Sequence, residues 1–535
     1  MMADLLNPVA VAFERGKRGL GPFRAKSCSL YFFAALIVMA LSCSGSFAQE
    51  EPASMPKVQQ VPLSGRSASG GEVQAQQSST SNGGGSSVDT VSTTIQVSGA
   101  YQGSVPDPSP PQGPVTLNLA EAIQRGLRFN LGSIDASASA RQLRGARLAA
   151  LSQMLPNIYA TVSETVEKID LQTQGISAGV FGSITPPTTV GPFHYYGALA
   201  NVSENFSMTS LHNWRESRAA AEAAEMSMVD ARELIILAVG GSYLHVLATK
   251  ANVLSQEAQV KQAEATFQQA EDRHQAGTTP IIDRNRDFVE FHTEQERLTS
   301  LRADFVKQTM LLARLIGLPV SQGIALSEDL PAQVAAALPV EESVKVAIQN
   351  RSDLKAARLQ LKAAEEAHRA SRAEYLPSIG VNGDYGVEGI NPNKGASVFQ
   401  AAATVTIPIF QSGRVKADVE EADAALILRQ AEYADQQGVV ELDVRQAYVD
   451  LQVNTEQIAV AAENRRVAAE TLTQSVDRFA AGVTDSVEVV QSQETVAAAE
   501  RDYVSSLFSL NLARLSLARA TGQAEKFIPS MLKGN

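Results

Sequence analysis

The sequence predicts a mainly α-helical protein with a smaller β part, built from two tandem copies of one unit: a strand hairpin followed by a long helical hairpin. Three observations support this fold class. Tyr243–Gly317 aligns with Tyr448–Gly522 at a constant offset of 205 residues, without a gap over 75 positions. Residues 215–275 and 415–480 contain no proline. Segments with strand-like alternation of apolar and polar residues precede both helical runs.

The first 48 residues have the parts of a secretory signal peptide. An apolar run covers 30–41, and Ser46-Phe47-Ala48 resembles a cleavage site. The basic residues before the run are Arg15, Lys17, Arg18, Arg24 and Lys26. Loss of residues 1–48 removes five basic and two acidic residues, so the net charge changes from −12 to −15. A chain this acidic is not expected to bind nucleic acid.

The two cysteines, Cys28 and Cys43, both lie in this leader, so we expect no disulfide in the mature chain. Cys43 leaves a lipoprotein signal as an alternative. Lipoprotein signals usually have Leu three residues before the cysteine, where this chain has Ala40. Residues 49–114 are rich in Gln, Ser, Gly and Pro, and we expect them to form a disordered tether.

The repeat divides the remainder into a first unit, 115–330, a second unit, 331–522, and a short C-terminal tail, 523–535. Each unit begins with a helix that runs into Leu-Pro, and proline ends a helix and favours extended geometry before it. Strand hairpins are therefore predicted at 157–208 and 378–410.

One face of each strand hairpin is apolar and the other polar, which also fits a soluble sandwich. In the second hairpin the apolar positions are Ile379, Val381, Tyr385, Val387, Phe399, Val405, Ile407 and Ile409. In the first hairpin Glu164 and Glu204 interrupt the apolar face. We expect both carboxylates about 8 residues, or ~26 Å, up their strands from the helical end, near the far headgroup layer of a membrane.

Helical hairpins are predicted at 215–317 and 414–522. Their first helices have 60 or more residues and would extend ~90–100 Å, longer than a globular domain requires. Gly277 and Gly482 are the predicted helix-to-helix turns, where a positive φ is often needed. Four strands cannot close a barrel, and an open sheet cannot stand in lipid. A barrel shared among several chains, continued by helices, is therefore predicted: an oligomeric conduit.

Sites for enzymatic chemistry are not predicted. The six histidines are scattered, with no HExxH pair, and no glycine-rich phosphate loop follows a strand. We expect no cofactor, no metal site and no catalytic residues.

The chain resembles the TolC-like outer-membrane efflux family over about residues 116–522. The twofold repeat and the Leu-Pro strand entries carry this resemblance, with two motifs. One is Ile407-Pro408-Ile409-Phe410-Gln411-Ser412-Gly413-Arg414 at the sheet-to-helix junction, in which we single out Pro408, Gly413 and Arg414. The other is Arg478-Phe479-Ala480-Ala481-Gly482-Val483-Thr484-Asp485-Ser486-Val487-Glu488-Val489 at the second hairpin tip. Leu211-His212-Asn213-Trp214-Arg215 is a degenerate first junction.

The resemblance implies a homotrimer with a 12-stranded β-barrel in outer-membrane lipid and a 12-helix periplasmic coiled-coil tunnel. It also implies a passive conduit in a tripartite efflux or type I secretion system, whose tip binds a periplasmic adaptor (membrane fusion) protein that links it to an inner-membrane pump. The alternative is a periplasmic coiled-coil adaptor or structural protein without a barrel, although adaptors usually have one helical hairpin. The cargo is not identified by the sequence.

Family members close the tip by polar bridges and line it with acidic residues. Asp283 and Glu488, each six residues after a turn glycine, are the candidates for an acidic ring. Three positions depart from the fullest gate pattern: Phe479 where a tyrosine can stand, Thr484 where an arginine can stand, and Gln491 where a second acid can stand. Arg284 and Arg286 are candidates for other closing contacts. We expect the second hairpin to form the inner constriction.

Overall fold

A computed structural model describes residues 72–80, 90–111, 113–171, 189–331, 339–484 and 486–527. The signal peptide, Cys43, most of the predicted tether and the end of the C-terminal tail lie outside these residues. The first part of the chain has β1 Val73–Thr80, β2 Thr90–Val97, β3 Val115–Leu117, α1 Leu119–Phe129, α2 Leu131–Ser152, β4 Asn157–Asp170, β5 Thr189–Phe206, α3 Met208–Gln275 and α4 Ile281–Leu315. The second part has β6 Ile324–Leu326, α5 Val340–Asn350, α6 Ser352–Ala373, β7 Ser378–Gly389, β8 Ala396–Thr406, α7 Arg414–Ala480 and α8 Ser486–Ala520.

The four long strands form one antiparallel sheet in the order β4-β5-β7-β8. Register places Glu164 opposite Tyr196, and Tyr385 opposite Phe399, on the apolar face. Apolar side chains on this face are open in the single chain: Val162 is 85% exposed and Phe399 74%. Because these side chains have no cover within the chain, the face needs an apolar environment from outside.

The position of Glu204 differs from the expectation. Glu204 pairs with Val381 and lies two residues before the end of β5, next to the helical end. Glu164 lies seven residues into β4, as expected from the start of the strand at Asn157. The prediction was wrong for Glu204 because the first long helix begins earlier than the sequence suggested.

That helix, α3, begins at Met208, and the Ser207 side chain caps it by accepting a hydrogen bond of 3.0 Å from the Ser210 backbone N–H. The expected junction at Leu211–Arg215, and the expected start of the hairpin at residue 215, are therefore wrong, since these residues lie within the helix. The cap at Ser207 begins the helix before residue 211, so the chain makes no turn at 211–215.

The long helices form two antiparallel pairs, which we call the first helical hairpin (α3 and α4) and the second helical hairpin (α7 and α8). α3 has 68 residues and α7 has 67, which corresponds to ~100 Å at ~1.5 Å per residue. α3 also packs on α8, which joins the two hairpins. Among the described helices, α3 alone contains an 18-residue window apolar enough to cross a membrane, but 72% of that window is buried in the protein, as in an ordinary core helix.

The hydrophobic core lies at mid-height, where both hairpins and the short helices meet. Ile235, Tyr243, Leu312 and Leu512 from three long helices are fully buried there. The Tyr243 hydroxyl donates a hydrogen bond of 3.2 Å to the Leu117 carbonyl, beside the parallel pair β3–β6, which joins the beginning and the end of the first unit. The buried ion pair Arg519–Asp230, at 2.6 Å, links α8 to α3 in the same layer.

The prediction of a disordered tether over 49–114 is wrong for the residues that the structure describes. β1 and β2 form an antiparallel pair that we call the N-terminal hairpin. Its inner face packs on the core through Val73, Ala75, Ile95 and Val97. The chain then lies along the core: the Val105 N–H donates to the Phe129 carbonyl and the Asp107 N–H donates to the Gly317 carbonyl. A few well-placed apolar residues in a polar segment are thus enough to hold it.

Candidate functional site

The two helical tips share one turn geometry. After α3, the Gly277 N–H donates to the His274 carbonyl and the Thr278 N–H to the Arg273 carbonyl. After α7, Gly482 and Val483 make the equivalent bonds to Phe479 and Arg478. The φ angles are +74° at Gly277 and +72° at Gly482, values that L residues rarely adopt. Both turns are therefore Schellman motifs that need glycine.

At the second tip, Glu488 is held by groups of its own helical hairpin. Its carboxylate accepts hydrogen bonds from the Thr484 hydroxyl and, at 3.4 Å, from the Ser475 hydroxyl. The Arg478 guanidinium lies 3.6 Å from it. Thr484 thus orients the carboxylate, whereas the Gln491 side chain is exposed on α8.

The charged residues of the first tip also pair within their own hairpin. Asp283 accepts a hydrogen bond of 3.2 Å from Arg286, and Arg284 donates one of 2.6 Å to Glu271. The Arg284 guanidinium also lies 5.4 Å from the Phe267 ring centre and 5.3 Å from that of Phe288. Arg286 does reach the second hairpin, with a long contact of 3.5 Å to the Ser486 hydroxyl.

Arg273 makes the most extensive contact between the two tips, and the sequence analysis did not single it out. Its guanidinium stacks on the Phe479 ring at 4.4 Å and donates to the carbonyls of Phe479, at 3.3 Å, and Ala480, at 3.4 Å. Phe479 is 6% exposed. The repeat could have pointed to this residue, because Arg273 aligns with Arg478, which is part of the motif at the second hairpin tip.

Buried carboxylates follow the first tip along α4. Asp287 is 2% exposed, and among the described residues neither carboxylate oxygen accepts a hydrogen bond of good geometry, although the Ser486 hydroxyl lies near enough to lower its pKa. Burial, together with the nearby Asp283, raises the pKa of Asp287 to about 6 despite the opposing charge of Arg286. Burial and the carboxylates of Glu294 and Glu494 raise the pKa of Glu290 to about 7. Asp287 and Glu290 therefore bind a proton at a higher pH than exposed carboxyl groups do.

The second sheet-to-helix junction turns the chain sharply. Pro408 lies between β8 and α7, and the turn has Ser412 at φ 51° and Gly413 at φ 84°. Arg414 begins α7 and forms ion pairs with Glu374 at 2.8 Å and with Asp418 at 2.9 Å. Since Glu374 directly follows α6, Arg414 fastens the start of the long helix to the end of the short one.

Apolar side chains stay exposed at both tips. Ile281 is 54% exposed, Ile282 62%, Val289 62% and Val483 68%. Exposed apolar residues grouped at the end of a molecule are typical of a protein-binding surface. No group of three or more His, Cys, Asp or Glu residues arranged to hold a metal ion is present in the part of the chain that the structure describes.

Comparison with known proteins agrees with this architecture. Residues 344–523 match the family model described as outer membrane efflux protein. The pyoverdine export outer membrane protein OpmQ of Pseudomonas aeruginosa is 24% identical over 415 residues, which cover 74% of this chain and 82% of that protein. The probable outer membrane lipoprotein SilC of Salmonella typhimurium is 22% identical over 46% of this chain and 54% of that protein.

Solved structures of outer-membrane channels share the fold. The outer membrane protein VceC of Vibrio cholerae matches with a TM-score of 0.63 at 19% identity, over 76% of this chain and 96% of that chain. The CmeC outer membrane channel of Campylobacter jejuni matches with a TM-score of 0.63 at 14% identity, over 81% of this chain and 95% of that chain. The comparisons confirm the resemblance to outer-membrane efflux proteins and the expected location in the outer membrane.

Proposed function

We propose that this chain, with its confirmed resemblance to the TolC-like outer-membrane efflux proteins, is one of three identical subunits of a passive export conduit. In this proposal three sheets form a 12-stranded barrel in the outer membrane, and three pairs of helical hairpins continue it as a 12-helix tunnel in the periplasm. The family match and the shared fold support an efflux channel. The shared barrel rests on the physical arguments that follow, and the number of three subunits rests on the family resemblance.

The observation that carries the proposal is the four-stranded sheet with two open edges. Within the described residues, β4 and β8 each pair with one neighbour only. Their outer N–H and C=O groups would be unsatisfied in lipid, and each such group costs several kcal/mol there. The apolar face is exposed along the sheet. Edge-to-edge pairing of β8 with β4 of the next copy satisfies the backbone and leaves the apolar face for lipid.

The helical hairpins support the same assembly. α3 packs on α4 and on α8, and α8 packs on α7, so α4 and α7 are the outer helices of the group. Exposed apolar residues lie on these outer helices, among them Met310 on α4 and Val449 and Val460 on α7. Packing α7 of one copy on α4 of the next buries these residues and closes a ring of helices.

The tunnel tips are the proposed docking point for a periplasmic adaptor protein that connects the conduit to an inner-membrane pump. The exposed apolar side chains at the two tips support this role, with Val483 the most exposed, followed equally by Ile282 and Val289. OpmQ is described as a pyoverdine export protein. That cargo is a property of the relative.

Conductance across a planar bilayer tests the proposed function. The purified protein, reconstituted without adaptor or pump, should give discrete single-channel steps of small, cation-preferring conductance. The control is an equal amount of protein that has been heat-denatured before reconstitution. Absence of channel activity from native protein that inserts into the bilayer would contradict a conduit.

A further inference from the structure

The repeat relates the two helical hairpins residue by residue. α3 and α4 of the first hairpin align with α7 and α8 of the second at a constant offset of 205. Within one chain, α3 packs on α8, and this contact is the seam between the two hairpins. The offset makes α7 equivalent to α3, and α4 equivalent to α8. A seam between α7 of one copy and α4 of another would therefore be the counterpart of the seam within one chain.

The seam within one chain contains a buried ion pair. Arg519 of α8 lies 2.6 Å from Asp230 of α3, and the Asp230 side chain is completely buried. The equivalent residues are Arg314 of α4 and Asp435 of α7, so both charges recur. The offset extends to this level because α3 and α7 are continuous helices there. In the single chain Arg314 and Asp435 are exposed, and neither forms an ion pair with another described residue.

Apolar residues of the two seams show the same contrast. Leu237 of α3 is 5% exposed, whereas its equivalent on α7, Leu442, is 54% exposed. Leu515 of α8 is 2% exposed, whereas its equivalent on α4, Met310, is 45% exposed. The outer sides of α4 and α7 thus carry apolar and charged groups of a helix seam, while the helix that would cover them is absent from the single chain.

Two cavities beside the N-terminal hairpin are related by the same offset. The smaller cavity, of about 290 Å³, lies beside Arg519 and is lined in part by Leu237 of α3. The larger cavity, of about 420 Å³, lies beside Arg314, and among the described residues its lining includes none from α7. The counterpart of Leu237 is Leu442 of α7. The larger cavity therefore lacks a wall that α7 of a second copy would supply.

We propose that Arg314 of one copy forms an ion pair with Asp435 of the next copy, and that Leu442 of that next copy covers the cavity beside Arg314. This inference rests on the proposed function as a conduit built from several chains. It adds the partner residues and the register in which two copies meet. Opposite charges on the two outer sides of one chain fit a head-to-tail contact, which can close into a ring. Docking buries both charges, so loss of one leaves the other without a partner.

Charge reversal tests the pair in the purified protein. Arg314→Glu and Asp435→Arg should each raise the dissociation rate of the detergent-solubilised oligomer about tenfold, because each change brings like charges together. The two changes combined should restore a rate near that of the wild type. Glu456→Arg, an exposed change further along α7, is the matched control and should leave the rate unchanged. Native mass spectrometry over time measures the rate. Equal rates for wild type and Arg314→Glu, or no recovery in the combined variant, would overturn the pair.

Cross-linking in intact membranes measures the contact itself. Because no cysteine follows Cys43, Arg314→Cys with Asp435→Cys leaves no other thiol in the chain after that residue. These positions lie on the two outer helices of one chain, so a short bifunctional thiol reagent should link separate copies. A denaturing gel should then show bands of linked chains. Arg314→Cys with Glu456→Cys, whose second thiol lies ~30 Å further along α7, should give single chains only.

The outcomes separate this inference from the proposed function. Single chains from both cysteine pairs, with an oligomer still present in the wild-type extract, would overturn the contact assigned here and leave the conduit standing. A wild-type protein that is monomeric in the extract would refute the conduit of several chains. Linked chains from the pair at 314 and 435 alone, together with recovery in the combined charge variant, would support the register.

Discussion

At the scale of single residues, the contacts of several charged side chains at the tips do not follow from the residues next to them in the sequence. Glu488 and Asp283 are both acidic, both six residues after a turn glycine, and both paired within their hairpins. Arg273 and Arg478 share a repeat position and differ in partner. The spacing of residues predicted where the turns lie. It could not predict which hairpin each arginine reaches, because that depends on packing between helices distant in sequence.

Asp287 makes the stability of the tip depend on pH. Its pKa is raised from 3.8 to about 6, so the folded state binds more protons than the unfolded state between these values. Stability is therefore lost as the pH rises through this window. Asp287→Asn should be neutral at pH 4 and stabilising at pH 8, by on the order of 2 kcal/mol. Denaturant unfolding of variant and wild type at both pH values provides the measurement.

Asp477→Asn is the control for this experiment, since Asp477 is exposed on α7. It should change stability by the same small amount at both pH values. A destabilising effect of Asp287→Asn at pH 8, where the carboxylate is ionised, would mean that neighbours such as Arg286 and Ser486 stabilise the charged form by more than burial costs.

Substitution of glycine by alanine should change the stability in opposite directions at two positions, one in a tip turn and one inside a helix. Gly482→Ala should destabilise the protein by about 1–2 kcal/mol, because the φ of +72° is strained for alanine. Gly438 lies within α7, and a Cβ there would meet nothing within 4 Å. Gly438→Ala should therefore stabilise by about 0.4–1 kcal/mol. Unfolding free energies of the two variants check both signs, and a stabilising effect of Gly482→Ala would contradict the strain expected at its positive φ, since a Cβ has open space at both positions.

At the scale of elements, the long helices and the strand hairpins were predictable because period and proline placement are strong local signals. The start of α3 was not, since the degenerate first junction suggested a turn at 211–215 where the helix already continues. The N-terminal hairpin was missed for a different reason. Its composition is polar, and its order comes from contacts of Ile95 and Val73 with helices far away in sequence.

The attachment of the N-terminal hairpin depends on Gly241 of α3. A Cβ at this position would lie 2.4 Å from Cδ1 of Ile95 and 3.2 Å from Cδ1 of Leu512. Gly241→Leu should displace the N-terminal hairpin and make the chain before residue 98 sensitive to limited proteolysis, while the rest of the protein stays resistant.

Two further variants define what this experiment shows. Gly240→Ala is the matched control, because a Cβ at Gly240 meets Leu515 and not the N-terminal hairpin. Ile95→Ala combined with Gly241→Leu should restore part of the protection by making room. If Gly241→Leu leaves the hairpin protected, it is held by other contacts.

At the scale of the whole molecule, a sheet of only four strands with two open edges is the reason for proposing that several chains share one barrel. The sequence was sufficient to predict this step, because strand number, face polarity and helix length all follow from local patterns. The number of subunits did not follow from these patterns and came from the family resemblance. The structure adds which strands and helices lie at the outer sides of one chain: β4, β8, α4 and α7.

The acidic residues at the tips predict the ion preference of the assembled conduit. Three copies of Asp283 and Glu488 would place carboxylates around the opening, which favours cations. Asp283→Ala and Glu488→Ala should each lower the cation preference in a bilayer measured under a salt gradient. Gln491→Ala, an exposed neutral position on α8, serves as control. Unchanged cation selectivity in both acidic variants would contradict an acidic ring formed by Asp283 and Glu488.

The central claim is that several copies of this chain build one membrane conduit, and the mass of the purified complex tests it most directly. Native mass spectrometry of the protein released from detergent micelles should show a species with the mass of three mature chains. The protein should also remain in the membrane fraction when detergent is left out. A protein that stays soluble without detergent and has the mass of a single chain would contradict the account.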